Sequence, residues 1–194
     1  MSKLKISNFT VYRDSFRVGP IDLTADEGCK VLVYGPNGSG KTTLLLGMLG
    51  ILKTSGSLSI DGEEISSLPV ERRKIAYQPA SPTAVPKLTV RKILRLASPR
   101  IDQDIINELK IDSLLDRTGD ELSAGQARLV QLAAVFMGKA RVILLDEPFS
   151  FLSQEHREMV YELIRKERRI VIATAQERDE RFDLFVSLAR SQEG

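Results

Sequence analysis

A short apolar run, Lys30-Val-Leu-Val-Tyr34, passes directly into Gly35, Pro36, Asn37, Gly38, Ser39, Gly40, Lys41 and Thr42. The run reads as a buried strand, and the pattern from Thr42 to Leu49 reads as a helix. Strand, glycine turn and helix in unbroken succession leave few folds open; they point to an α/β layout with helices packed over a sheet. The spacing is G-x-x-x-x-G-K-T, that of a phosphate-binding loop. Its glycines let backbone N–H groups converge on an anion, and the helix that follows adds favourable partial charge. Lys41 can then reach β- and γ-phosphates, while the Thr42 hydroxyl can ligate Mg²⁺. Thr43 belongs to the same helical turn.

The rest of the 194-residue chain keeps this alternation. Residues 4–12 and 20–24 read as strands, residues 56–63 as a hairpin and residues 75–77 as a further short strand. From residue 88 to 115 the pattern is helical, with Val90, Ile93, Leu94 and Ala97 on one face and Ile105, Ile106 and Leu109 marking a second helix. Pro79, Pro82 and Pro86 precede this block and Gly119 follows it, which delimits a small helical lobe at about residues 79–122. Residues 125–137 and 154–166 read as helices, 141–145 and 170–174 as buried strands, and 185–188 as the strand that closes the sheet.

Composition excludes more than it selects. Hydrophobic residues at 42% supply a core and charged residues at 28% a soluble surface. A net charge of +2 is too weak to argue for nucleic acid. Arg72, Arg73 and Lys74 form a small basic run, read here as the solvated edge of a hairpin. With Cys29 the lone cysteine there is no disulfide framework and no metal-ligand cluster, as expected of a reducing compartment. The first residues lack the apolar stretch of a signal peptide. The apolar segment 44–52 falls short of the ~20 residues that span a bilayer, so any membrane part is expected from another chain.

Two further stretches carry chemistry. Val142-Ile-Leu-Leu145 ends in Asp146 and Glu147. A carboxylate at the end of a buried strand near a phosphate loop suits Mg²⁺ binding through water. A second carboxylate can orient or deprotonate the attacking water. Without the loop, the pair would read as an acidic strand end. Leu122, Ser123, Ala124, Gly125 and Gln126 lead a helix, where Ser123 alone would be a plain cap.

The loop, then LSAGQ at residues 122–126, then the strand with paired carboxylates, in this order, resemble the nucleotide-binding subunit of an ABC-type ATPase. The resemblance runs from about Leu4 to Leu188. It implies an α/β fold: a P-loop NTPase, RecA-like core with an N-terminal antiparallel β part and a small inserted helical lobe. One domain would cover residues 1–194, with 1–78 and 123–194 as core and 79–122 as lobe. ATP and Mg²⁺ are the implied ligands. Residues 35–43 would cradle the phosphates, with Lys41 also catalytic; Thr42, Gln78 and Asp146 would attend the metal, and Glu147 the attacking water. Gln78 stands 45 residues before Ser123, and Tyr12 stands 29 residues before Lys41. The family has there a glutamine that contacts Mg²⁺ or water and a ring that stacks on adenine. In isolation they would be an exposed polar residue and an ordinary core or surface tyrosine.

The resemblance also implies partners. Ser123, Ala124, Gly125 and Gln126 would face the γ-phosphate bound to a second ABC ATPase subunit, so that two chains sandwich two ATP molecules. Ala124 replaces the family's usual glycine by one methyl. Integral membrane permease chains would dock near Gln78 and the lobe, placing the protein in the cytoplasm, peripheral on the inner face of the cell membrane. No nucleic acid is expected. Leu88-Thr-Val-Arg91 and the short chain beyond Leu188 lean towards export.

Two departures limit the match. Ser153 stands where the family loop ends in Leu-Asp, and Thr174-Ala175-Gln176 where it has Thr-His-Asp. Removing one transition-state donor lowers rate by about 10²–10³, so slow basal hydrolysis, or dependence on a more complete second subunit, is expected. His156, the sole histidine, falls in the helix at 154–166 and is expected to face solvent. Three other readings compete. A soluble ATPase of a non-transport assembly lacks one branch, since no sustained heptads signal a coiled coil. A nucleotide kinase has no use for LSAGQ. An ATP-gated module with little hydrolysis, suggested by Ala175 and Ser153, has less need of Glu147.

Overall fold

The computed structural model describes residues 2–189. They divide into two compact units, the first built from residues up to 77, 141–146 and 167 onwards, the second from 78–140 and 147–166.

The first unit holds two sheets. One is antiparallel and comprises β1 (Lys3–Arg13), β2 (Phe16–Asp26), β4 (Lys53–Ile60) and β5 (Glu63–Glu64) in the order β2-β1-β4-β5. The other comprises β3 (Lys30–Tyr34), β6 (Ile75–Gln78), β7 (Val142–Leu145), β8 (Ile170–Ala175) and β9 (Leu184–Ser187) in the order β6-β7-β8-β3-β9. β3 pairs in parallel with β8 and β9, and β7 in parallel with β8. Their continuous apolar sequences follow from burial on both faces. Helix α1 (Lys41–Leu49) packs on β1, so that Leu44, Leu45 and Met48 join Phe9, Val11 and Leu58 in one core.

β2 begins at Phe16, four residues earlier than the strand expected at 20–24. Gly19 and Pro20 look like breakers, but β2 is an edge strand, where a missing N–H removes no ladder bond. A register irregularity in β1 lies between Ile6 and Phe9, where the Asn8 amide donates to Asp22 Oδ1 at 2.9 Å.

Arg73 overturns the reading of the basic run as a solvated edge. It is 4% exposed, and its guanidinium donates to Leu68 O at 2.8 Å, to Met48 O at 2.9 Å and to Gly47 O at 3.3 Å. The last two are carbonyls of the final turn of α1, which a cation satisfies both as a donor and as a counter-charge. Burial pulls the guanidinium below its ordinary pKa, while the Glu64 carboxylate acts to raise it.

The second unit is helical: α2 (Val90–Ala97), α3 (Gln103–Glu108), α4 (Ala124–Met137) and α5 (Gln154–Lys166). Thr89 caps α2 and Asp102 caps α3 through their side-chain oxygens. Val90 and Leu94 form the buried face of α2 against α4, and Ile106 that of α3. Among the described residues, no helix is long and apolar enough to cross a membrane.

Candidate functional site

The phosphate loop follows β3, the strand between β8 and β9. Lys41 opens α1 yet is 5% exposed, because its ammonium turns back to donate to Gly35 O at 2.8 Å and Pro36 O at 3.0 Å. Gly40 has φ 94°, and a Cβ there would lie 2.2 Å from Val18 Cγ2, so both conformation and space require glycine. No described side chain caps α1, and its first turn carries no acidic residue, leaving the leading N–H groups to an anion. Ser39, buried with its hydroxyl unbonded among the described residues, lines a cavity of about 460 Å³ together with residues 17–22 and 185–189.

Asp146 ends β7 and is fully buried. Thr42 Oγ1 donates to its Oδ2 at 2.7 Å, Thr174 Oγ1 to its Oδ1 at 2.8 Å, and Tyr77 OH to Oδ2 at 3.3 Å. Three hydroxyls from α1, β8 and β6 therefore hold one carboxylate. A carboxylate bonded to a hydroxyl is the donor set Mg²⁺ accepts, with remaining positions left for water and phosphate oxygens. Among the described residues no group of three or more His, Cys, Asp or Glu side chains could hold a metal. The roles of Tyr77 and Thr174 were not read from the sequence. Their hydroxyls meet Asp146 through sheet order, which no local motif encodes.

Tyr12 pairs with Arg17 across the β1–β2 hairpin, one register step from Val18, the residue that abuts Gly40. It is 39% exposed, with its OH 3.2 Å from Ser55 Oγ. The end of β8 differs in kind from that of β7. Ala175 contributes its carbonyl to Gly35 N at 3.3 Å, and Gln176 is exposed.

The second unit carries the other motif residues. Gln78 is fully buried, and its Nε2 donates to Pro79 O. Ser123 caps α4: the Gln126 amide donates to Ser123 Oγ at 3.2 Å, and the Ser123 amide to Gln126 Oε1 at 3.0 Å. Ala124 and Gly125 form the first turn of that helix. Glu147 has φ 48°, a sparsely populated conformation for a residue with a side chain. Ser150 binds it twice, N to O at 3.1 Å and Oγ to Oε2 at 3.2 Å. Ser153 Oγ accepts from the His156 amide at 3.3 Å and contacts His156 Nδ1 at 3.1 Å, so Ser153 acts as the cap of α5.

A phosphate loop at the end of a central parallel strand, with a threonine–aspartate pair beside it, defines a nucleotide-binding ATPase of the P-loop class. The family profile described as ABC transporter matches residues 18–150, and the chain belongs to that family. Within it the chain stands with the ATP-binding subunits, which hydrolyse ATP to drive transport. It is 32% identical over 171 residues to the probable branched-chain amino acid transport ATP-binding protein LivF of Archaeoglobus fulgidus, covering 81% of this chain and 72% of that protein. Identity is also 32% over 177 residues with the molybdate/tungstate import ATP-binding protein WtpC of Pyrococcus horikoshii, covering 86% of this chain. The chain spans only 50% of that relative's length. The solved structure of a putative ABC transporter ATP-binding protein from Pyrococcus furiosus superposes with a TM-score of 0.84 at 29% identity, covering 96% of this chain and 97% of that one.

Proposed function

We propose that this chain is the ATP-binding and ATP-hydrolysing subunit of a membrane transporter, working as a dimer that sandwiches two Mg-ATP. The observation that carries the reading is the 2.7 Å bond between Thr42 of the phosphate loop and buried Asp146. In this reading residues 35–43 bind the phosphates, and Lys41 exchanges the carbonyls of Gly35 and Pro36 for β- and γ-oxygens. Thr42 and Asp146 would hold Mg²⁺, with Gln78 as a further contact. Bound there, the ion would supply positive charge against the transferring phosphoryl. Glu147 takes the proton of the attacking water or orients it, and Tyr12 stacks on the base. Residues 123–126 complete the partner subunit's site. Residues 1–194 act as one ABC ATPase domain with 79–122 as its lobe.

Permease chains docking near Gln78 and the lobe would hold the protein on the cytoplasmic face of a membrane. WtpC and the Fe(3+) ions relative FbpC of Vibrio cholerae are named import proteins, which outweighs the lean to export. A second reading, an ATP-gated module with little hydrolysis, draws support from Ala175 and from Ser153 serving as a helix cap. Two measurements separate them. ATP should trap a stable Glu147→Gln dimer that lacks turnover, and tagged chain should recover an integral membrane protein from detergent-solubilised membranes. A Glu147→Gln chain with unchanged turnover would favour the gated module, and recovery of soluble partners alone would replace transport by an assembly role.

A further inference from the structure

Arg128 lies five residues after Ser123 on α4 and is fully buried. Its Nη1 donates to Pro79 O at 2.6 Å and to Gln131 Oε1 at 3.3 Å, and its Nη2 donates to Ala80 O. Gln131, three residues on and so on the same helix face, continues the seam. Its Nε2 reaches Ser81 O at 3.1 Å, Thr83 O at 2.8 Å and Thr83 Oγ1 at 3.3 Å. The carbonyl of Pro79 also accepts from Gln78 Nε2, so the glutamine amide and the guanidinium share one acceptor.

A third segment meets the same residue. Arg128 Cζ stands 5.9 Å from the centroid of the Phe151 ring, within reach of a cation–π contact. The Phe151 carbonyl presses on the first turn of α4, where a Cβ at Gly125 would come within 2.8 Å of it. One buried cation thus touches the chain after Gln78, the helix after Ser123 and the loop after Glu147. A buried charge is tolerated only while its hydrogen bonds stay made. The three segments are therefore expected to move together.

We propose that Arg128 is a positioning residue that binds Gln78, the start of α4 and the loop after Glu147 into one mechanical element. The inference rests on the roles proposed above for Gln78, Ser123 and Glu147. Its chemistry is specific to arginine, because two carbonyls and a ring face are served by a planar fork and not by the point charge of lysine.

The test compares wild type, Arg128→Met and Arg128→Lys in the full chain. Without nucleotide, amide hydrogen exchange at Ala80, Ser81 and Thr83 should accelerate by about tenfold or more in both variants. Equilibrium binding of a fluorescent Mg-ATP analogue should stay within about twofold, since no phosphate-loop residue is altered, while kcat should fall by about tenfold. Unchanged exchange at these three amides overturns the proposal. Fast exchange with unchanged kcat, or nucleotide affinity falling in step with kcat, also overturns it, leaving a merely structural arginine. A wild-type chain that binds ATP without turnover counts against the proposed hydrolysis and not against the brace, which hydrogen exchange then decides. Should Arg128→Met fail to fold, Gln131→Leu keeps the arginine and its bonds to residues 79 and 80 but removes the bonds to Ser81 and Thr83 and one acceptor of the guanidinium. It should speed exchange at the Ser81 and Thr83 amides and lower kcat by about threefold; no change in either overturns the proposal.

Discussion

The neighbouring strands β7 and β8 end differently. β7 delivers Asp146, a carboxylate gripped by hydroxyls from three elements, whereas β8 delivers Ala175, a methyl beside an exposed Gln176. The two strands are in register, Leu145 opposite Ala173, so the contrast is one of chemistry and not of folding. On the function proposed above, the end of β7 would position a metal, whereas Ala175 stands where the family resemblance implies a histidine. On that reading the chain is expected to hold nucleotide better than it hydrolyses it.

The sharpest way to break the contrast is at its complete end. Asp146→Asn should lower turnover by about 10³-fold, because both Thr42 and Thr174 donate to that carboxylate and the amide would remove its charge from the cradle. Steady-state turnover against Mg²⁺ concentration reads it, and a loss below tenfold would detach Asp146 from the metal. At the bare end, the isolated chain should turn over more slowly than ~1 s⁻¹. Ala175→His should then raise the rate by about 10- to 100-fold; an unaltered rate would clear β8 of responsibility for slow hydrolysis. Smaller effects sharpen the picture. Tyr77→Phe removes one neutral donor from Asp146 and should weaken Mg²⁺ binding in the presence of ATP by about threefold, measured by calorimetry.

The smallest prediction is a control remote from both strand ends. Burial raises the Glu64 carboxyl, but hydrogen bonds from the Ser57 and Ser66 hydroxyls and from the Ser66 and Leu58 amides outweigh it and hold the pKa at about 2. A carboxyl lowered from its ordinary 4.5 contributes stability in full above that value and loses it as pH falls towards 2. Glu64→Gln should lower Tm at pH 7 by about 2–4 °C, roughly 1 kcal/mol after solvent screening. The gap to wild type should close below about pH 3, with no change in the ranking of the strand-end variants.

Elements with strong local signatures were legible in the sequence. β3, α1, α4 and α5 fall within a residue or two of their expected bounds, because apolar runs and helical periods are local properties. The phosphate loop and Asp146 were legible because their residue types have few other uses in that order. Tyr77, Thr174 and Arg128 were not. Each earns its place through partners far off in sequence, Asp146 for the first two and residues 79–80 for the third. Arg73 misled for the same reason: a basic run predicts solvent unless the carbonyls that bury it are known.

Arg73 has a wider consequence. α1 is about 14 Å long at nine residues; its first turn faces the phosphate loop and its last turn is closed by a guanidinium. The guanidinium satisfies the last carbonyls where the helix dipole is negative, and that influence falls off within the turn. A substitution at position 73 is therefore expected to lower Tm while leaving nucleotide affinity unchanged, because the turn that opens α1 keeps its own N–H groups.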